Sequence, residues 1–185
     1  MGLPKEFPLA DPGDYSSYQW PDPDDPRIIG QIYHRAECCP DKELIIAGAH
    51  RDTLWERSYM LAGMENMMEW FYTEPEKARD ILHHIMDFQM GIAAHYLQCG
   101  IELAEFGDDL GTQNSLLLSP NIIREFLVPE YRRLIALYKS HGVLINFHSC
   151  GHIEPLLDLF MELGVDLLNP LQATANDLAA VRTKT

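Results

Sequence analysis

The chain has 185 residues, 46% of them hydrophobic and 23% charged, enough to bury a core and ordinary for a soluble protein. Its 28 acidic residues against 14 Lys and Arg give a formal charge of −14, which repels phosphate backbones and anionic lipid and argues against nucleic acid or a membrane surface as partner. No run reaches the roughly 18 apolar residues a bilayer span needs, and "MGLPKEFPLADPGDY" lacks the basic start and apolar segment of a signal peptide.

Residues 1–27 hold six prolines and five aspartates, a composition that reads as an irregular arm, with Tyr15, Tyr18 and Trp20 packing it onto something. The whole chain reads as one partial domain over 1–185, with an irregular arm over 1–42 and β/α units over 43–185. Cys38, Cys39, Cys99 and Cys150 show no disulfide spacing, as expected for a reducing cytoplasm. Leu44–Ala47 is a short apolar run, and two helical segments follow over Arg51–Leu61 and Met64–Tyr72.

Thr73 and Pro75 open a long amphipathic helix with Ile81, Ile85, Phe88 and Ile92 on one face, closing at Gly100. A strand is predicted over Ile101–Phe106, then the loop "GDDLGTQNS". Ser119 and Pro120 start a helix running to about Ser140. A strand follows over Val143–Phe147, then "CGHIEPLLDLFMELG" as a helix. Val165–Leu168 is a strand, "NPLQ" a loop, and Ala175–Val181 a helix start.

Alternating strands and crossover helices imply a parallel sheet, and short apolar strands imply cover on both faces. About four β/α units point to a doubly wound sheet or to part of a (β/α)₈ TIM barrel, which requires eight. The chain reads as cut short.

Three loops leave the carboxyl ends of consecutive strands, the edge where such folds build their sites. His148 and Cys150, two apart at a strand end, direct imidazole and thiol to one side, and zinc takes such ligands. The plainer alternative makes Cys150 buried filler and gives His148 one hydrogen bond. His152 is a weaker third ligand, because Gly151 turns the chain before it. Asp108 and Asp109 are candidate catalytic carboxylates, or simply solvated ones. Alternation leaves one of Glu102 and Glu105 facing inward. Gln113, Asn169 and Gln172 suit hydrogen bonds to a small-molecule substrate. The Met60, Met64, Met67 and Met68 group reads as packing.

From about Gly100 to Ala173, "GDDLGTQNSLLLSPNIIREFLVPEYRRLIALYKSHG" and "HSCGHIEPLLDLFMELGVDLLNPLQ" resemble the uroporphyrinogen decarboxylase-like superfamily, which also includes cobamide-dependent methyltransferases. The resemblance implies a (β/α)₈ barrel with its site at the carboxyl-end mouth. In the methyltransferase branch a His-x-Cys supplies two zinc ligands and a later cysteine another. The zinc turns a thiol acceptor into a thiolate that takes a methyl group from methyl-cobalamin on a partner corrinoid protein. His148 and Cys150 match those two ligands, but no cysteine follows Cys150. The alternatives are the decarboxylase itself, in tetrapyrrole biosynthesis, whose arginine-rich N-terminal motif is not visible here, and a catalytically inactive truncated barrel. A half-barrel leaves strand edges open, so a homodimer is expected.

Overall fold

The computed structural model describes residues 6–10, 17–39 and 44–185. Tyr15 lies outside them. Helix α1 spans Pro26–Glu37, and strand β1 follows at Ala47–His50. Helices α2 (Trp55–Ala62), α3 (Met64–Thr73) and α4 (Pro75–Gln98) lead to β2 at Leu103–Gly107. A short α5 (Pro120–Ile122) runs through a π-turn, Ile123–Leu127, into α6 at Val128–Ser140. Strand β3 (Leu144–His148) is followed by a 3₁₀ turn and α7 (Leu157–Leu163), then by β4 (Leu167–Asn169) and α8 (Leu178–Lys184).

The four strands pair in parallel in the order β1-β2-β3-β4, so each crossover helix returns the chain to the next position. This sequential order is part of a TIM barrel wall, as the family resemblance implies, and decides between the two architectures the sequence pattern left open. Among the described residues no helix is long and apolar enough to cross a membrane.

Burial alternates along every strand. In β3, Ile145 and Phe147 are buried under the helices, whereas Leu144 is 45% exposed and Asn146 and His148 are only partly covered. The expectation of cover on both faces therefore fails for this chain. One face carries the helical layer; the other, which points to the axis in a closed barrel, is covered only in part, by α2 residues near the carboxyl ends of the strands. The core on the helical side is aromatic-rich, with Phe147 meeting Phe106, Tyr131 and Phe160 at centroid distances of 6.2, 5.4 and 4.8 Å.

Two local expectations need correction. The arm read as irregular to residue 42 contains α1. Pro26 occupies the first helical turn, where a missing N–H costs nothing, and Asp25 caps the helix by accepting from the Arg27 N–H. Trp20 does anchor the preceding segment, stacking on His84 of α4 at 4.7 Å. At the next junction Glu74, not Thr73, precedes α4; the Thr73 hydroxyl donates back to Glu69 O, ending α3 instead. The π-turn has its own cause. Pro129 cannot donate to Glu125 O, and Arg79 from α4 takes that carbonyl at 3.1 Å.

Candidate metal centre at the strand ends

Register sets the site. Gly107 at the end of β2 lies opposite His148 of β3, and His148 lies opposite Asn169 of β4. The three loops therefore leave the sheet side by side. Backbone bonds lock them: Asp108 N–H donates to His148 O at 3.1 Å, and Ser149 N–H to Asn169 O at 2.9 Å.

Two glycines bring the first two loops into backbone contact. A Cβ on Gly151 would lie 2.5 Å from Gly111 C and Thr112 O, and Gly151 has φ +86°. A Cβ on Gly111 would lie 2.8 Å from His152 N. Only glycine fits at both positions. At this contact His152 N–H donates to Thr112 O at 2.7 Å. Asn176 holds the far side of the turn, accepting from Ile153 N–H and donating to Gly151 O.

This packing brings together Asp109, His148 and Cys150, whose ligating atoms all lie within 4.8 Å of one another. Cys150 Sγ is 3.4 Å from His148 Nε2, which is 3.6 Å from Asp109 Oδ1. Tetrahedral zinc, with bonds of about 2.0–2.3 Å, sets its ligand atoms about 3.3–3.7 Å apart. The two separations from His148 Nε2, to Cys150 Sγ and to Asp109 Oδ1, lie in that range, and the third lies within 4.8 Å. His152, the weaker third candidate, is turned away and bonds Ala175 O through Nδ1 at 2.7 Å.

The other predicted residues divide by position. Asp108 is fully buried and does not reach the mouth, because neighbouring residues on an extended segment point to opposite sides. Its carboxylate accepts from Leu54 N–H and Glu56 N–H at 2.8 Å and from Tyr131 OH at 2.7 Å. It thereby caps α2, whose own N-cap residue Leu54 has no capping side chain. Burial pushes its carboxyl up to about 7, against the pull of these donors. Asn169 Oδ1 lies 2.9 Å from His148 Nδ1. Gln172 Oε1 accepts the Gly151 N–H at 2.5 Å and holds the turn. Gln113 is exposed on the turn after Thr112 and does not line the cavity at the mouth.

That cavity, about 530 Å³, is bounded by Glu56, Tyr59, Met60, Asp109, His148 and Asn169. Glu56 and Tyr59 escape a sequence reading, and Met60 reads there only as packing, because α2 delivers them from 88 to 92 residues upstream of His148. Burial and then the Asp109 charge raise the Cys150 thiol above its ordinary range, and the same two causes raise the Glu56 carboxyl. Negative charge is crowded here, and a bound cation would relieve it. A larger cavity, about 760 Å³, lies between α1, β1 and α4, but the candidate metal ligands do not line it.

A parallel β/α wall in the strand order 1-2-3-4, with an Asp/His/Cys cluster at its carboxyl edge, defines a protein of the TIM-barrel class. The chain belongs to the uroporphyrinogen decarboxylase (URO-D) family, whose profile matches residues 22–184. It is similar to the methylated-thiol–coenzyme M methyltransferase of Methanosarcina mazei, with 31% identity over 106 residues, 57% of this chain and 28% of that protein. Its fold is similar to a solved methyltransferase from Methanosarcina mazei, with a TM-score of 0.66 and 18% identity. That overlap covers 88% of this chain and 47% of the solved one, so the chain spans less than half the length of either relative.

Proposed function

We propose that this chain forms the metal-binding wall of a methyltransferase in which Asp109, His148 and Cys150 hold a zinc ion. The observation that carries the reading is the convergence of the three ligating atoms within 4.8 Å, with both separations from His148 Nε2 matching tetrahedral zinc, although the sequence offers no cysteine after Cys150. Asp109 takes the third position, leaving the fourth open, as a catalytic zinc site requires. Zinc bound there would lower the pKa of an incoming small thiol and supply it as thiolate, the reactive form. The methyl donor is methyl-cobalamin on a partner corrinoid protein. Tyr59 and Met60 give the acceptor's stem an apolar seat beside the cluster. A reducing cytoplasm keeps Cys150 available as a ligand.

The decarboxylase reading is disfavoured by charge. The mouth offers Arg51 against Asp52, Glu56, Glu105 and Asp109, a surface that repels a polycarboxylate tetrapyrrole. The open face of the sheet, with Leu144 and Leu167 exposed, is covered in our reading by a second copy of the chain.

Metal analysis of the purified protein tests the proposal. The expected result is one zinc per chain, lost in His148→Ala and in Cys150→Ala. A metal-free protein that takes up no zinc on titration overturns it; if it binds no corrinoid protein or thiol either, an inactive barrel wall remains.

A further inference from the structure

The inward face of the sheet carries a row of polar side chains where a barrel interior ordinarily carries layers of branched apolar ones. Glu105 of β2 lies opposite Asn146 of β3, and Asn169 of β4 lies opposite His148. Strand alternation puts Asn146 and His148 on the same face. The four side chains touch in sequence. Asn146 Nδ2 donates to Glu105 Oε1 at 3.3 Å, Asn169 Nδ2 donates to Asn146 Oδ1 at 2.8 Å, and Asn169 Oδ1 lies 2.9 Å from His148 Nδ1.

We propose that Glu105, Asn146 and Asn169 are positioning residues that fix His148 as its Nδ1–H tautomer and leave its Nε2 lone pair facing the cation position. The inference rests on the metal-site reading for its purpose, but not for its geometry.

The direction of the row follows from donor and acceptor chemistry. An ionised carboxylate only accepts, so the rung facing it must present an amide N–H₂. Asn146 therefore turns its Oδ1 toward β4, which calls for the Asn169 N–H₂. Asn169 then turns its Oδ1 to His148, and that oxygen needs an N–H. The proton sits on Nδ1. Among the described residues no oxygen reaches Nε2 at hydrogen-bond distance, since Asp109 Oδ1 is 3.6 Å away and already accepts the Cys150 N–H at 2.8 Å; Cys150 Sγ, 3.4 Å from Nε2, can donate its S–H to that lone pair, which agrees with the proton on Nδ1. Metal-bound imidazoles commonly donate their second N–H to such an outer group, which orients the ring; losing that group lowers metal affinity by about 10–100-fold. Here the outer group is an amide, and the charge that orders it sits two rungs away on another strand.

Two variants make the relay testable. Glu105→Gln replaces the acceptor-only end with a group that can face either way, so the row loses its direction. Glu105→Gln with Asn146→Asp moves the carboxylate one rung closer, where it still accepts from Asn169 Nδ2. Long-range ¹H–¹⁵N NMR of the metal-free protein, with the ring of residue 148 assigned by its loss in His148→Gln, reads the neutral tautomer directly. The expected result is Nδ1–H in wild type, both tautomers in Glu105→Gln, and Nδ1–H restored in the double variant. Co²⁺ affinity should fall about tenfold in Glu105→Gln and recover in the double variant. An Nε2–H ring in wild type, or a tautomer ratio untouched by Glu105→Gln, overturns the proposal. An ordered Nδ1–H ring in a protein that takes up neither Co²⁺ nor Zn²⁺ supports the relay and sinks the metal-site reading instead.

Discussion

Asp109 Oδ1 accepts the backbone N–H of Cys150 at 2.8 Å, joining the acidic loop after β2 to the His-x-Cys loop after β3. One carboxylate thus shapes the second loop and offers an oxygen to the cluster that loop presents. The two duties separate in Asp109→Asn, whose amide oxygen still accepts the N–H but lacks the charge. Its melting temperature is expected to stay within a few degrees of wild type, while zinc affinity, measured by chelator competition, falls at least about tenfold. Asp109→Ala should lose both. Unchanged zinc affinity in Asp109→Asn would remove Asp109 from the ligand set.

The contact between Gly111 and Gly151 is where the site is most sensitive to a single methyl group. Gly151→Ala must hold φ near +86° and fit a Cβ 2.5 Å from backbone atoms of the neighbouring loop, so the loops must part. The left-handed strain alone costs about 1–3 kcal/mol, and separation pulls Cys150 away from Asp109. Urea unfolding is expected to show that loss together with lost Co²⁺ thiolate absorption. Gly30→Ala is the control: nothing lies within 4 Å of its Cβ, and in the exposed face of α1 it should stabilise by about 0.5–1 kcal/mol. Gly151→Ala with wild-type stability and metal uptake would show that the backbone contact is dispensable.

Much of this was legible in the sequence, for a physical reason. Short apolar runs between crossover helices imply parallel strands, so the loops at 107–113, 148–152 and 169–172 had to leave the same sheet edge; their adjacency follows from the observed order β1-β2-β3-β4. Spacing by two put His148 and Cys150 on one side. What the sequence hides is the sense of each loop residue. Asp108 and Asp109 look alike in the string, yet one serves the α2 N-terminus in the core and the other faces the mouth. Nothing local separates them, because the donors that claim Asp108 come from residues 54 and 56. Asn146 carried a usable signal, since it precedes His148 by the same two residues that separate His148 from Cys150.

Two buried groups behind the site oppose each other in pH. Burial lowers His50 from 6.5 to about 4; it bonds Gln89 Oε1 at 2.8 Å and Tyr138 OH at 2.5 Å. Between those values the unfolded chain takes up a proton that the folded one refuses, so stability falls as pH falls through that window. Asp108, raised from 3.8 to about 7, does the reverse: the folded chain keeps a proton the unfolded one releases, so stability rises as pH falls through that window. Each contributes on the order of 3–4 kcal/mol across its window, and in wild type they largely offset. Relative to wild type, His50→Gln should gain stability from pH 7.5 to pH 5, and Asp108→Asn should lose it, as read by urea midpoints. Parallel pH slopes in all three proteins would refute both assignments.

The open part of the sheet face is expected to set the association state. Leu144 and Leu167, on β3 and β4, are 45% and 50% exposed on the face that points inward in a closed barrel. Apolar side chains of this size on an open sheet, beside two unpaired strand edges, favour association over solvent. A second copy turned about the barrel axis would set its β1 beside this β4 in parallel, since both are end strands of one parallel sheet. Light scattering after size-exclusion chromatography should give about twice 21.1 kDa. Leu144→Lys with Leu167→Lys should return the mass to that of one chain, because two ammonium groups cannot be buried there without partners. Both substitutions lie on the open face, away from the helical core, so the monomer should keep its far-ultraviolet dichroism. A wild-type chain that elutes as a compact monomer and binds no hydrophobic dye would rule out the dimer.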